Sequence, residues 1–260
     1  MKQKIKSCLL IMCTLIAVSL CFVGCDFKFG GSGGGSTDDD TSTTAQVTGI
    51  DLAGDIKTKY YIGDELDLNG ARLKVVYDDD TEKNVTLMAS MVTGFDSSKL
   101  GNYSLTITYK NKSIKKNYTV SADGDYVADY SYGTYYYKSE DDTNPTIVAY
   151  SGTYTDTKAK WEVSYTLKID GLSASMRLVR KETSVSGKTE IIFDVTGTAS
   201  LTQTENILTS GQLLNDKTQE SANTTLIITV YKDYLEMIQR SNKNNDAGAY
   251  ELCRFLRVEA

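Results

Sequence analysis

Histidine is absent from this 260-residue chain, and proline and tryptophan occur once each. Without histidine the chain lacks the commonest general base and a leading metal ligand. Cysteine is scarce where it would matter: of five, Cys8, Cys13, Cys21 and Cys25 crowd the first 25 positions. Cys253 is left without a partner, which excludes a disulfide framework and a zinc site of the usual Cys/His kind. Within its apolar terminal run it reads as a small core residue rather than a reactive thiol. No metal or cofactor is expected. No long apolar stretch repeats every 3.6 residues, so a helical core is not indicated. Tyrosine is plentiful, at 18 residues, and it recurs with threonine in short alternating runs that signal β-strands.

The N-terminus sets the expected location. Lys2, Lys4 and Lys6 precede an uncharged, largely apolar stretch from Ser7 to Gly24, the layout of a secretion signal. The stretch ends in Phe22-Val23-Gly24-Cys25. This resembles a lipobox, in which a small residue precedes a cysteine that is lipidated and begins the mature chain; Phe22 stands where leucine is usual. The other reading is an uncleaved span, but the run is shorter than the roughly 20 residues a bilayer crossing prefers. Residues 1–24 are therefore expected to be a lipoprotein signal peptide, with Cys25 as the lipid attachment. Burial of about 0.8 kcal/mol per CH₂ makes one acyl chain marginal and two secure. Both readings put the chain on the outer face of a bacterial membrane.

Charge narrows the partners. The net charge is −6, and the first 24 residues hold three lysines and no acids, so the rest carries −9. That balance argues against nucleic acid and against broad adhesion to anionic lipid. The expected partners are the membrane, through the anchor, and a surface glycan or protein ligand. Nothing in the sequence specifies an oligomeric state.

Residues 25–46 form a linker containing Gly30-Gly31-Ser32-Gly33-Gly34-Gly35-Ser36 and Asp38-Asp39-Asp40. About 20 residues of such composition span roughly 25 Å. The aspartates read as a solvated tether rather than a calcium loop, since consecutive acids do not converge on one point. Gly30-Gly31-Ser32-Gly33-Gly34 matches the nucleophile-elbow pattern only by chance, having no strand before it and no helix after it.

Residues 47–121 make a first unit. Leu73, Val75 and Tyr77 alternate with their neighbours, as do Tyr103, Leu105, Ile107 and Tyr109, the mark of half-buried strands. Asn111-Lys112 is the expected hairpin turn. Tyr61-Ile62-Gly63-Asp64, Leu66-Asp67, Gly70, Val92-Thr93-Gly94-Phe95-Asp96, Lys99 and Gly101-Asn102-Tyr103, with those strands, resemble the bacterial immunoglobulin-like domain of group 3. Asp80 departs from that pattern, standing where the family commonly has the glycine of an Asp-Gly turn. The resemblance implies a small β-sandwich used as a spacer or adhesive module, and it supplies no catalytic residue.

Residues 126–260 make a second unit, joined through the short polar stretch Ser121–Asp125, across which few contacts are expected. Trp161, Val163, Tyr165, Leu167 and Ile169 share one face, Asp170-Gly171 follows, and Leu172, Ala174, Met176 and Leu178 alternate again; this is a strong hairpin signal. Ser186-Gly187 and Lys232-Asp233 mark further turns. The segment 204–218 reads equally as a loop with a short helix or as a strand pair. The fold class is thus all-β: an Ig-like sandwich, then an antiparallel meander of roughly seven or eight strands closing to remove its edges. Strand number, with Gly133-Thr134-Tyr135 and Gly152-Thr153-Tyr154, makes the second unit resemble a lipocalin-like barrel. The bulky inward set bearing Trp161, with Leu226, Ile228 and Val230, predicts a filled interior.

The chemistry-bearing candidates are few. Glu140-Asp141-Asp142 and Asp78-Asp79-Asp80 are acid clusters at turns, where solvation is the simpler reading than glycan hydrolysis. No residue is assigned catalysis, and the chain is read as a non-enzyme. Tyr130, Tyr132, Tyr135, Tyr136 and Tyr137 are the candidate binding residues. As one strand, Tyr130, Tyr132 and Tyr136 would share a face opposite Tyr135 and Tyr137. They either fill a core and stiffen a face by cross-strand pairing, or form a stacking platform for sugars or a partner protein. The functions left are a tethered binding or adhesion lipoprotein, a carrier of a small apolar ligand, and, last, a wall-glycan hydrolase.

Overall fold

Strands and one short 3-10 turn supply the regular structure of residues 45–215, 224–241 and 248–259, the parts described by the computed structural model. No α-helix occurs among these residues. The protein is all-β. The signal segment, Cys25 and most of the linker lie outside the described residues.

The first unit comprises β1 (Val47–Leu52), β2 (Lys59–Tyr60), β3 (Arg72–Tyr77), β4 (Glu82–Thr86), β5 (Val92–Thr93), β6 (Gly101–Tyr109) and β7 (Lys112–Val120). They form two sheets, ordered β1-β3-β4 and β2-β7-β6-β5. Every pairing is antiparallel except that of β2 with β7. Alternation places Leu73 and Val75 of β3, Leu105 and Ile107 of β6, and Tyr118 and Val120 of β7 in the core. Each such burial contributes about 1.5–3 kcal/mol. Tyr118 is the hub. Its ring packs against Tyr60, Phe95 and Tyr103 at 5.2–5.7 Å between centroids, and its hydroxyl oxygen accepts the Asp96 N–H at 2.7 Å. This explains why Gly94 precedes that pair: its φ is +84°, and a Cβ would sit 3.2 Å from the Ser104 carbonyl oxygen. The β3–β4 turn forms with Asp80 at φ 59°, which aspartate tolerates. The β6–β7 turn falls on Lys110-Asn111, one residue before its expected place, with positive φ at Lys110.

The second unit comprises β8 (Gly124–Ala128), β9 (Thr134–Tyr137), β10 (Thr146–Val148), β11 (Ser151–Thr153), β12 (Lys160–Asp170), β13 (Ser173–Thr183), β14 (Thr189–Ser200), β15 (Thr202–Thr204), β16 (Ile207–Ser210), β17 (Leu214–Asn215), β18 (Thr224–Val230), β19 (Tyr234–Ser241) and β20 (Tyr250–Arg257). They form one antiparallel sheet whose main path runs β15-β16-β18-β19-β20-β8-β12-β13-β14-β17. It is not a simple meander. The first strand, β8, is inserted between β12 and the last strand, β20. The sheet curls into a half-barrel, and among the described residues its path ends at β15 and β17 without joining them. The turn between β12 and β13 is made by Gly171 and Leu172, with Gly171 at φ +57°. Of the two readings of 204–218, the strand pair holds for β15 and β16.

β8 is short, and this opens a seam. β20 pairs with β8 only along Phe255–Arg257 and with β9 along Tyr250–Cys253. β12 likewise pairs with β8 along Thr166–Ile169 and with β11 along Lys160–Glu162. Beyond β8 the chain crosses between the two long strands through Ala149 and Tyr150, where the Tyr150 carbonyl accepts the Val163 N–H at 2.6 Å.

The seam overturns the expectation of a filled interior. Tyr126, Leu167, Ile169, Leu226, Ile228, Met237 and Phe255 are buried, so the end nearest the first unit is packed. Trp161, Val163 and Tyr165, on the same face of β12, are only half-buried. Alternation identified the inward face correctly, but among the described residues no strand closes over its Val163–Tyr165 end, which lines an open cleft.

The two units are also more closely joined than expected across Ser121–Asp125. The Leu100 N–H donates to Asn206 Oδ1 at 3.0 Å, Asn206 Nδ2 donates to the Ser98 carbonyl at 2.9 Å, and Lys99 pairs with Glu205 at 2.6 Å. Lys59 pairs with Asp123 at 2.7 Å, and Asp123 also accepts the Gly171 N–H at 2.8 Å. The Arg257 guanidinium lies 3.4 Å from the Tyr61 ring centre. Gly63 packs so closely on Lys232 that a Cβ there would meet its side chain at 2.7 Å. Buried residues of both units form one core cluster.

Candidate functional site

The open half of the curled sheet encloses a cleft of about 690 Å³. Its walls are aliphatic and aromatic: Val163 of β12, Met176 and Leu178 of β13, Ile192, Phe193 and Val195 of β14, and Val148 at the seam. Ile192 and Phe193 are 54% and 43% exposed, so the mouth is apolar as well as the interior. Part of the reason is a bulge: Arg180 pairs with Phe193 and Lys181 with Ile191, leaving Ile192 without a register partner. A bulge bends its strand and re-aims the side chains beside it.

Polar groups gather where β9, β19 and β20 meet the seam. The Tyr165 hydroxyl donates to Gln239 Oε1 at 3.4 Å, and its ring meets Phe255 edge-on at 5.1 Å. Thr134 bonds the Tyr150 hydroxyl and lies 3.2 Å from Cys253 Sγ. Burial pushes the Cys253 thiol up to about 11, so it stays protonated and unreactive at neutral pH. Burial likewise holds the Tyr150 and Tyr165 hydroxyls above the usual phenol range. Glu251 completes this group. Its carboxyl is raised by burial alone, and it has no hydrogen bond or ion pair among the described residues.

Arg180 stands at the rim of the cleft. It donates to Tyr154, pairs with Glu182 at 3.2 Å and lies 5.3 Å from the centre of the Trp161 ring. Among the described residues its Nε has no hydrogen-bond partner, and neither do those of Arg240, Arg254 and Arg257. All four guanidinium groups lie over aromatic rings, and the stacking shields that nitrogen. Trp161, expected in the core, is half-buried; its indole covers Gly152, where a Cβ would approach the ring to 2.8 Å.

The five candidate tyrosines do not share one strand. Tyr130 and Tyr132 belong to the turn organised by Asp129, whose carboxylate accepts the Ser131 and Tyr132 N–H groups at 3.1 and 3.2 Å. Only Tyr135, Tyr136 and Tyr137 lie on β9. Tyr130 packs edge-on to Tyr150 at 4.8 Å, and Tyr132 meets Tyr135 at 5.1 Å. Tyr137 stacks on Tyr250 at 4.5 Å. Arg254 lies between Tyr132 and Tyr234, 3.9 and 4.1 Å from the ring centres. Much of this aromatic surface is therefore engaged with neighbouring side chains.

The acid clusters shape their turns. Asp142 accepts the Lys138 and Asn144 N–H groups at 2.9 Å, and Asp79 accepts the Thr81 N–H at 3.0 Å and hydroxyl at 2.6 Å. Glu140 pairs with Arg240 at 2.5 Å. Among the described residues no three acidic or cysteine side chains are grouped to hold a metal ion.

Sequence reasoning passed over Glu251. The available signal was strand parity: Glu251, Cys253 and Phe255 fall on one face of β20, which puts an acid among inward residues. A search of curated proteins found no match to the chain. Residues 53–121 match the family model described as Bacterial Ig-like domain (group 3), within the 47–121 span where the sequence resemblance lies.

Proposed function

We propose that the chain is a membrane-anchored extracellular lipoprotein without catalytic activity, whose half-barrel takes a small, largely apolar ligand into its cleft. The observation that carries the reading is the cleft itself, about 690 Å³ and walled mainly by apolar side chains. Small-molecule sites fall in the range of about 300–1,000 Å³ and combine apolar walls with a few convergent polar groups. The Ig-like match supports a binding or adhesion protein. The lack of histidine and the turn-bound acids support a role without chemistry.

The uncharged apolar probe N-phenyl-1-naphthylamine should bind the full chain one-to-one and shift the emission of Trp161. Leu178→Trp, which narrows the cleft, should weaken that binding by about tenfold or more, since filling a preformed apolar site removes the area the probe would bury. Failure of the native chain to bind the probe would leave the outward tyrosines as the better site. That second reading, a surface glycan or protein ligand, is favoured by Tyr130, which remains 46% exposed.

The anchor is tested separately. Cys25→Ala should leave an unlipidated precursor or release the chain into the medium, read by fractionation and by mass of the N-terminal peptide. An equally membrane-bound variant with an intact N-terminus would point to an uncleaved span.

A further inference from the structure

Glu251 gives the cleft a polarity that its walls lack. On β20 it shares the inward face with Cys253, and it lies opposite Gln239 on β19 and Tyr136 on β9. Tyr165 of β12 and Tyr150 at the seam complete the nearby lining. None of these groups offers it a positive charge. Gln239 already accepts from Tyr165, and Thr134 and Tyr150 are bonded to each other. Arg180, the cation among the lining residues, is engaged by Glu182 and Tyr154 and stacked over Trp161.

We propose that the cleft selects an amphipathic cation: a protonated amine carried on an apolar body, its ammonium against Glu251 and its hydrocarbon along Val163, Leu178, Val195 and Phe193. The inference rests on the cleft being the binding site. Glu251 is half-buried and, among the described residues, carries no partner; partial loss of water is unfavourable to its carboxylate, and pairing with an ammonium offsets part of that cost. The burial that raises its pKa is the same physics seen in the free protein. An uncharged ligand leaves the acid unpaired, and an anionic one adds repulsion.

Octylamine, octanol and octanoate share one hydrocarbon body and differ in the head. Titrated into the full chain, held in amphipol and followed by calorimetry and Trp161 emission, octylamine should bind roughly tenfold tighter than octanol, as expected for a charge pair partly withdrawn from water. Octanoate should bind more weakly than octanol. Glu251→Gln should bring octylamine to the level of octanol and leave octanol binding intact. Glu251→Met, of similar size and without the amide, should do the same, so a folding defect in one variant does not decide the result. Equal binding of all three ligands, or unchanged octylamine preference in both variants, overturns the charge selection while the cleft reading stands. Preference for octanoate does so too, and points to Arg180. If no ligand binds, both readings fall.

Discussion

Phe255→Ala is expected to destabilise the protein by about 3–5 kcal/mol, as truncation of a fully enclosed aromatic ring does. Phe255 is 0% exposed on β20, the strand that β8, β9 and β19 all pair with. A cavity there loosens the packed end of the half-barrel and removes the edge contact that steadies Tyr165 at 5.1 Å. The loss therefore has two readouts. Denaturant unfolding should show a lower midpoint, and the apolar probe should bind the residual native protein more weakly, because Tyr165 lines the cleft. A midpoint within error of the native value would refute this account of the core.

Tyr118→Ala should cost a similar amount, about 3–5 kcal/mol, but in the Ig-like unit. Its companion Tyr118→Phe separates ring from hydroxyl. The phenylalanine keeps the contacts with Tyr60, Phe95 and Tyr103, yet leaves the Asp96 N–H without the acceptor it has at 2.7 Å. Stranding a part-buried donor costs about 1–3 kcal/mol. The expected order of stability, by chemical unfolding at fixed pH, is native above Phe above Ala. If Phe and Ala are equally destabilised, the hydroxyl and not the ring organises the Gly94–Asp96 turn.

How far the sequence reaches can be judged at particular residues. Leu73 and Val75, or Leu105 and Ile107, declare their strands because side chains alternate with a period of two whatever the sheet does elsewhere. Glycine turns such as Gly171 are legible because positive φ is cheap only without a Cβ. The place of β8 between β12 and β20 is not legible. Gly124–Ala128 carries the same local pattern in any order of strands, and the order follows from long-range pairing. The cleft was missed for a related reason. Trp161, Val163 and Tyr165 are as bulky as a filled core requires, but bulk on one strand says nothing of whether another closes over it. The tyrosines were misread as a single strand because the Asp129 turn, which breaks the alternation before Thr134, depends on one carboxylate accepting two N–H groups.

The side-chain bridges between the two units have a mechanical consequence. One peptide linker alone is a swivel, about which a domain turns under the slightest torque. Here the linker, itself held by Lys59 through Asp123, is supplemented at three separate places: Asn206 with Ser98 and Leu100, Lys232 with Gly63, and Arg257 with Tyr61. Each exposed ion pair is individually worth under about 1 kcal/mol, but separated attachments resist twisting as a single one does not. A pull on the Ig-like unit is carried into the sheet at β8, at the turn between β15 and β16, and at β20, the strand that bears Glu251. Load on the molecule thus enters the sheet at several strands at once instead of through a single peptide linker.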